Sequence, residues 1–537
     1  MGRPVIGILN TWSDLSTCHG HLRARAGKVR LGILRAGGFP IELPAMSLGE
    51  VWVKPTTMLY RNFLAMEAEE LIRSHPLDGV VLMGGCDKTT PGLLMGAFSV
   101  DLPCLFVPAG ASSNARHRGQ KVGTGTHTMK FWQERRAGRV DDAEWLELEG
   151  GMTRTAGTCN TAGTASTMTA AAEVLGMTLP GAQSIPAVDA RHERMCSAAG
   201  ERIVAMVAED LRPSRIVTEA SFHNAVKTVL AFGGSTNACV HLPAMAGRLG
   251  IRLPLSVWER YNREVPVLAN LMPAGSALME DFFFAGGLPA LLGRIAHLLD
   301  LEQRTVSGRT LGQDIAGAEV YDDEVIRPLS RPVAQEAIAV LTGNLAPRGA
   351  VMKPSAASPH LLRHTGPALV FDTFAEMMER IDDPALPVTA DSVLVLRNVG
   401  PVGAPGMPEA GNLPIPRKLL TQGVRDLVRI SDARMSGTHY GTCVLHACPE
   451  AAIGGPLALV EDGDLIELDV AARRLELKVD AAALAAREAV WRSRPPATLR
   501  YGRSYAALYQ RHVMQADEGA DFDFLAGVEP VPEPTIF

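Results

Sequence analysis

The stretch GVVLMGGCDKTTPG, residues 79–92, opens with an apolar run that no polar residue interrupts and ends in Gly-Gly followed by Cys86, Asp87 and Lys88. A run that is apolar at every position, rather than at every second one, predicts a strand buried on both faces. PVIGILN (4–10) and PCLFVPAG (103–110) read the same way. Helical patterns lie between them, in HLRARAGKVRLGILRAG (21–37) and FLAMEAEELIRSH (63–75). Continuous apolar strands alternating with helices predict an α/β domain built on a parallel sheet with both faces covered. Ligands of such sheets bind beyond the carboxyl ends of the strands, which is where Cys86 falls. Further on, 161–176 predicts an Ala-rich helix after a loop holding Cys159. Residues 222–250 predict more helix, with GGSTN (233–237) as an N-cap.

Near residue 342 the texture changes. The α/β domain is assigned to residues 1–341 and a β-barrel-like domain with a helical tail to 342–537. LTGNLAPRGAVMKPSAASP (341–359), rich in Gly, Pro and Ser, reads as a linker or domain entry. Beyond it lie short β-like runs: ALVFD, SVLVLRNVGP, LVRISDARMSG, LALVEDGDLIELDV and RRLELKV. A DG turn flanked by alternating apolar residues predicts a hairpin in VEDGDLIELDVAARRLELKV. A short helical tail follows from about residue 481.

The 537 residues carry a net charge of −6, with 47% hydrophobic and 5% aromatic residues. This is a globular composition without a basic footprint or many stacking platforms, so nucleic acid is not expected as a partner. No apolar run reaches the roughly 18 residues that span a bilayer. The N-terminus runs directly into strand-like sequence without a signal-peptide core. The expectation is a cytoplasmic protein acting on something small.

Eight cysteines without a single CxxC exclude a disulfide scaffold. Cys104, Cys196 and Cys239 read as small core hydrophobes, while Cys443 and Cys448 flank a short apolar turn. Cys18 (SDLSTCHGH), Cys86 (MGGCDKTTPG) and Cys159 (TAGTCNTAGTAS) lie in loops of small and polar residues. Such loops converge at one rim of a parallel sheet, and three thiolates suit a soft metal or an iron–sulfur cluster. Three unrelated buried thiols are the alternative. Asp87 and Glu50, in a loop after another strand-like run, suit a hard cation such as Mg²⁺. Lys88 could join them only as an anionic carbamate; a surface Asp–Lys pair is the other reading. Ser436, in ISDARMSGTHYGT, is either a turn residue or a base beside a cation. No GxSxG elbow, GxGxxG or GxxxxGK[ST] is present, so neither a hydrolase triad nor a nucleotide cofactor has support.

GILNTWSDLSTCHGH (7–21), GGCDKTTPGLLMGA (84–97), GTCNTAGTASTM (157–168) and SGTHYGTCVLHACPEAAIGGPLA (436–458) together resemble the dihydroxy-acid and sugar-acid dehydratase family. The resemblance runs from about residue 4 to about residue 526. It implies a hydro-lyase that removes water from a 2,3-dihydroxy carboxylate and leaves a 2-keto-3-deoxy acid. The block around Cys159 is similar to that of the pentonate dehydratases, whose substrates include L-arabinonate and D-xylonate. The branched-chain dihydroxy-acid enzymes carry a GACGGMYTANT-like stretch there instead. A branched-chain enzyme and a non-catalytic iron–sulfur homologue are the rival readings.

Carried over by position, the resemblance makes Cys18, Cys86 and Cys159 ligands of a [2Fe–2S] cluster. It makes Glu50, Asp87 and Glu409 (in PGMPEAGN) ligands of Mg²⁺, with Lys88 as a carbamylated ligand. Ser436 becomes the base, and Thr438 and His512 (in QRHVMQADEGADFDFL) pocket residues. It also implies a homodimer or homotetramer. Two features depart from the family's pattern. His19 follows the first cysteine where relatives have Asn, giving either a neighbour of the cluster or a further iron ligand. Only 17 residues precede Cys18, fewer than the family's usual N-terminal arm.

Overall fold

The computed structural model describes residues 2–493 and 501–527. Strands β1 (Val5–Asn10), β2 (Phe39–Pro44), β3 (Gly79–Gly84) and β4 (Cys104–Pro108) form one parallel sheet in the order β2-β1-β3-β4. Every residue of β3 is buried, as its uninterrupted apolar run predicts. Helices α1 (Leu22–Arg35), α2 (Arg61–Arg73) and α3 (Thr89–Val100) connect these strands. A small hairpin, β5 (Ala115–His117) and β6 (Gln120–Val122), leads into α4 (Thr126–Arg136), α5 (Asp142–Met152), α6 (Thr164–Val174) and α7 (Ala190–Glu209). α1 and α7 pack together on one side of the sheet, and α3, backed by α2, α6 and the later helices, packs on the other.

The region 222–250 is two helices beyond the short α8 (Pro213–Ile216): α9 (Glu219–Phe232) and α10 (Ala238–Gly247). GGSTN separates them, with Gly233 in the left-handed conformation that ends α9. Asn237 precedes α10 but makes no side-chain cap. Its amide is used elsewhere, as described below.

The C-terminal part is a closed eight-stranded barrel of β7 (Ala339–Gly343), β8 (Ala346–Met352), β9 (Arg363–Phe371), β10 (Val393–Leu396), β11 (Val428–Ser431), β12 (Cys443–Cys448), β13 (Leu465–Asp469) and β14 (Arg474–Leu477). Around the barrel the order is β10-β11-β12-β8-β7-β14-β13-β9. The expected fold class, a parallel-sheet α/β part followed by a β-barrel, is the one observed. Three local readings need correction. Of its two readings, LTGNLAPRGAVMKPSAASP is the entry to the barrel and not a linker: its first half is the antiparallel pair β7–β8, turned at Asn344 and Leu345. Gly343 ends β7 at the turn, Pro347 and Gly349 lie within β8, and Pro354 opens the short helical turn Pro354–Ala356. Cys443 and Cys448 bound a fully buried strand, not a turn. The hairpin β13–β14 exists, but it turns at 470–473, where Arg473 takes a positive φ. The Asp462-Gly463 pair instead turns the chain into β13, and the Asp462 carboxylate accepts the Val370 N–H at 2.7 Å.

Candidate active site

A cavity of about 320 Å³ opens at the carboxyl ends of the parallel strands. The loop after β1 brings Ser16 and Cys18, the loop after β2 brings Glu50 and Trp52, and the loop after β3 brings Cys86 and Asp87. Cys159, from the loop before α6, completes the set of three cysteines. From the barrel, the turn after β11 contributes Ser436 and Thr438. Residues far apart in sequence thus share one wall.

Burial raises the pKa of the Cys159 thiol to about 12. Cys18 is held well above the ordinary thiol range by a hydrogen bond with the Cys86 side chain, then by burial and the neighbouring Cys86, Cys159 and Asp87. Cys18 and Cys159, crowded beside a carboxylate, are poor acids on their own; a bound cationic iron group would remove that penalty, because coordinating thiols deprotonate outright. The donor set therefore fits a cluster. His19 is not free to join it. Its Nε2 accepts the Cys86 N–H at 3.0 Å and its Nδ1 donates to Ser47 Oγ at 2.9 Å. Burial, then the nearby His21, lowers its pKa to about 3, so the ring is neutral and supports the Cys86 loop.

Beneath the cavity lies Lys88, fully buried, with its Nζ 3.0 Å from Glu50 Oε2, 3.1 Å from Asp87 Oδ2 and 3.3 Å from Glu409 Oε1. Burial opposes its charge, but Asp87, Glu409 and Glu50 outweigh this and raise its pKa. Glu50 is pushed up by burial against the pull of Lys88. Burial also pushes Glu409 up, yet Lys88 and Arg434 bring it down to about 2. Three carboxylates from three loops meeting at one cation are the kind of oxygen donors a hard metal ion takes. Among the described residues no three His, Cys, Asp or Glu side chains stand ready to hold a metal ion, and the Lys88 ammonium occupies the centre of the three carboxylates. Conversion of Lys88 to a carbamate would replace the cation by two oxygen donors, and on that condition the residues fit Mg²⁺.

Ser436 is half-buried, with its Oγ 2.9 Å from Thr438 Oγ1. Thr438 fits because Gly125, at positive φ, and Gly163 carry no side chain: a Cβ on either would run into it. His512 stands apart from the cavity. It ends the helix Ser504–His512, is 38% exposed, pairs with Asp523 at 3.1 Å and meets Phe524 edge-on. Sequence reasoning missed Asn237 and Arg434. Asn237 Nδ2 donates to Glu409 Oε1 at 2.8 Å and to Thr164 Oγ1 at 3.0 Å. Arg434, fully buried, donates from Nη1 to Glu409 at 2.9 Å. Asn237 looked like a cap.

Residues 3–314 match the dihydroxy-acid/6-phosphogluconate dehydratase N-terminal domain, and residues 324–520 match its C-terminal domain. The chain belongs to that family. It is therefore a dehydratase, a hydro-lyase. Over its whole length, and 93% of the relative's, it is 60% identical to the 6-deoxy-6-sulfo-D-gluconate dehydratase of Pseudomonas putida. It is 52% identical to the L-arabinonate dehydratase of Rhizobium leguminosarum bv. trifolii, over 98% of this chain and 91% of that one. Identity to the dihydroxy-acid dehydratase of Moorella thermoacetica is 37%, over 96% of this dehydratase and 94% of that one. The sulfogluconate and L-arabinonate enzymes thus stand nearer than this dihydroxy-acid dehydratase, whereas the D-xylonate dehydratase of Caulobacter vibrioides stands at the same 37%.

Proposed function

We propose that this dehydratase acts on an aldonate, a pentonate such as L-arabinonate or D-xylonate, and yields the 2-keto-3-deoxy acid. The observation that carries the reading is the meeting of Cys18, Cys86 and Cys159, the carboxylates around Lys88, and Ser436 at one cavity. Hydroxyls of Thr124, Thr128, Thr153 and Thr155 add to its wall, in keeping with a polyol chain. Cys18, Cys86 and Cys159 would hold a [2Fe–2S] cluster, and Glu50, Asp87, Glu409 and carbamylated Lys88 would hold Mg²⁺. When bound, these groups supply a Lewis acid for the departing C3 hydroxyl and positive charge for the substrate's carboxylate end.

The chain's own residues do the rest. Ser436 Oγ takes the C2 proton as the C3–O bond breaks, and the enol left behind tautomerises to the ketone. The Thr438 hydroxyl, 2.9 Å away, steadies the Ser436 oxygen while it carries negative charge. Asn237 and Arg434 keep Glu409 ionised and aimed at the Lys88 position. A homodimer or homotetramer is proposed as the working assembly. No described helix is long and apolar enough to cross a membrane.

Competition tests the substrate. Holoenzyme given L-arabinonate, D-xylonate, 6-deoxy-6-sulfogluconate and 2,3-dihydroxy-isovalerate together should consume a pentonate first. Preference for the branched-chain acid would return the protein to the rival reading, and preference for the sulfonate would move the substrate to that of the Pseudomonas putida relative.

A further inference from the structure

Lys353 follows β8, is 3% exposed, and has no part in the chemistry above. Its Nζ donates to the backbone carbonyl of Gly233 at 2.6 Å. Burial alone pulls its pKa down, to about 7, so no charged side chain compensates the ammonium. A lone buried cation of this kind costs stability and calls for a gain elsewhere.

What it holds is the segment 233–237. Within that segment Ser235 N–H donates to Thr167 Oγ1 at 3.0 Å, and Ser235 Oγ lies 2.9 Å from Thr164 Oγ1. Asn237 reaches Glu409. A Cβ on Gly437 would lie 2.6 Å from the Ser235 Cβ, so the same segment packs against the residue next to Ser436. Glu409 and Ser436 both come from the barrel, whereas the segment comes from the α/β part. The contact from Lys353 to Gly233 ties the two together immediately beside the site.

We propose that Lys353 is a positioning residue of the dehydratase: it clamps Gly233 and so holds Asn237 against Glu409 and Ser235 against the Ser436 turn. This role rests on the proposed parts of Glu409 and Ser436. Lys353→Met, apolar and shorter by one atom, tests it in the holoenzyme. We expect amide hydrogen exchange across 233–237 to quicken, the thermal midpoint to stay at or above that of the wild type, and KM to change little. We expect kcat to fall about tenfold or more, the usual scale for a misplaced catalytic group. If Lys353 acts through Asn237, the Lys353→Met/Asn237→Ala double variant will be no slower than Asn237→Ala alone. Unchanged exchange overturns the clamp whatever the substrate proves to be. Wild-type kcat, or losses that add in the double variant, overturn the positioning role. Should Lys353→Met not fold, Lys353→Gln takes its place; failure of both to fold would make Lys353 a folding residue and overturn the proposal as well.

Discussion

In the proposed mechanism Ser436 is the residue on which the proton transfer turns. It sits half-buried in a turn of small residues, where loss of one oxygen leaves no large cavity. Ser436→Ala should therefore fold, and turnover should fall by about 10²–10⁴-fold, the range for a lost general base. Near-normal turnover by the folded variant would assign the base elsewhere. Legibility at this scale follows the type of signal. Cys18, Cys86, Cys159 and Ser436 stand out because each breaks the apolar texture with a loop of small residues. Asn237 and Arg434 do not, because their partner, Glu409, is brought to them only by folding. His512 shows the limit of a positional match: its ring is already engaged by Asp523 and Phe524 on the surface.

The strand-end loops are the elements that bring the site together, and the cysteines in them can be told from the cysteine in a strand. The anaerobically purified protein should be brown, and Cys18→Ser, Cys86→Ser and Cys159→Ser should each lose that colour together with activity. Cys104→Ser, in fully buried β4, should keep both, at some cost in packing. Colour that survives in all three loop variants would remove the cluster from these residues. The β8–α9 contact makes a pH prediction. Unfolded, Lys353 holds its proton to about pH 10.4; folded, it releases it near pH 7. The unfolded chain thus binds more protons between these values, and stability rises with pH across the window. The thermal advantage of Lys353→Met should be largest below pH 7 and shrink towards pH 10; an advantage that ignores pH would contradict the burial account. Elements were legible where periodicity is strong, as in β1, β3, β4, α1 and α2. β7–β8 was not, because a tight hairpin and a linker call on the same Gly and Pro residues. The β13–β14 turn was misplaced because Arg473, not the glycine of the DG pair, takes the positive φ there.

At the scale of the molecule, the two parts are tied by the chain's return. Residues 501–527 come back from the barrel to the α/β part, where Arg61 donates to the carbonyls of Gly519 and Ala520 at 2.9 and 2.8 Å. Arg248, fully buried, grips Asp521 through Nε at 2.7 Å and Nη2 at 3.2 Å. Asp521→Ala leaves that guanidinium with only Glu69 and the Ser99 hydroxyl and should cost about 3–5 kcal/mol, read as a lowered denaturation midpoint; an unchanged midpoint would mean the returning segment does not lock the parts together. The central claim is that this cavity removes the C2 proton and the C3 hydroxyl of a sugar acid. The most direct test is NMR of anaerobic, Mg²⁺-supplied holoenzyme turning over C2-deuterated L-arabinonate and D-xylonate. The account predicts a 2-keto-3-deoxy acid that has lost the C2 deuterium to solvent and gained a solvent hydrogen at C3, at a rate slowed by the isotope. Retention of that deuterium in the product, or no turnover of either pentonate by brown, fully loaded protein, would contradict it.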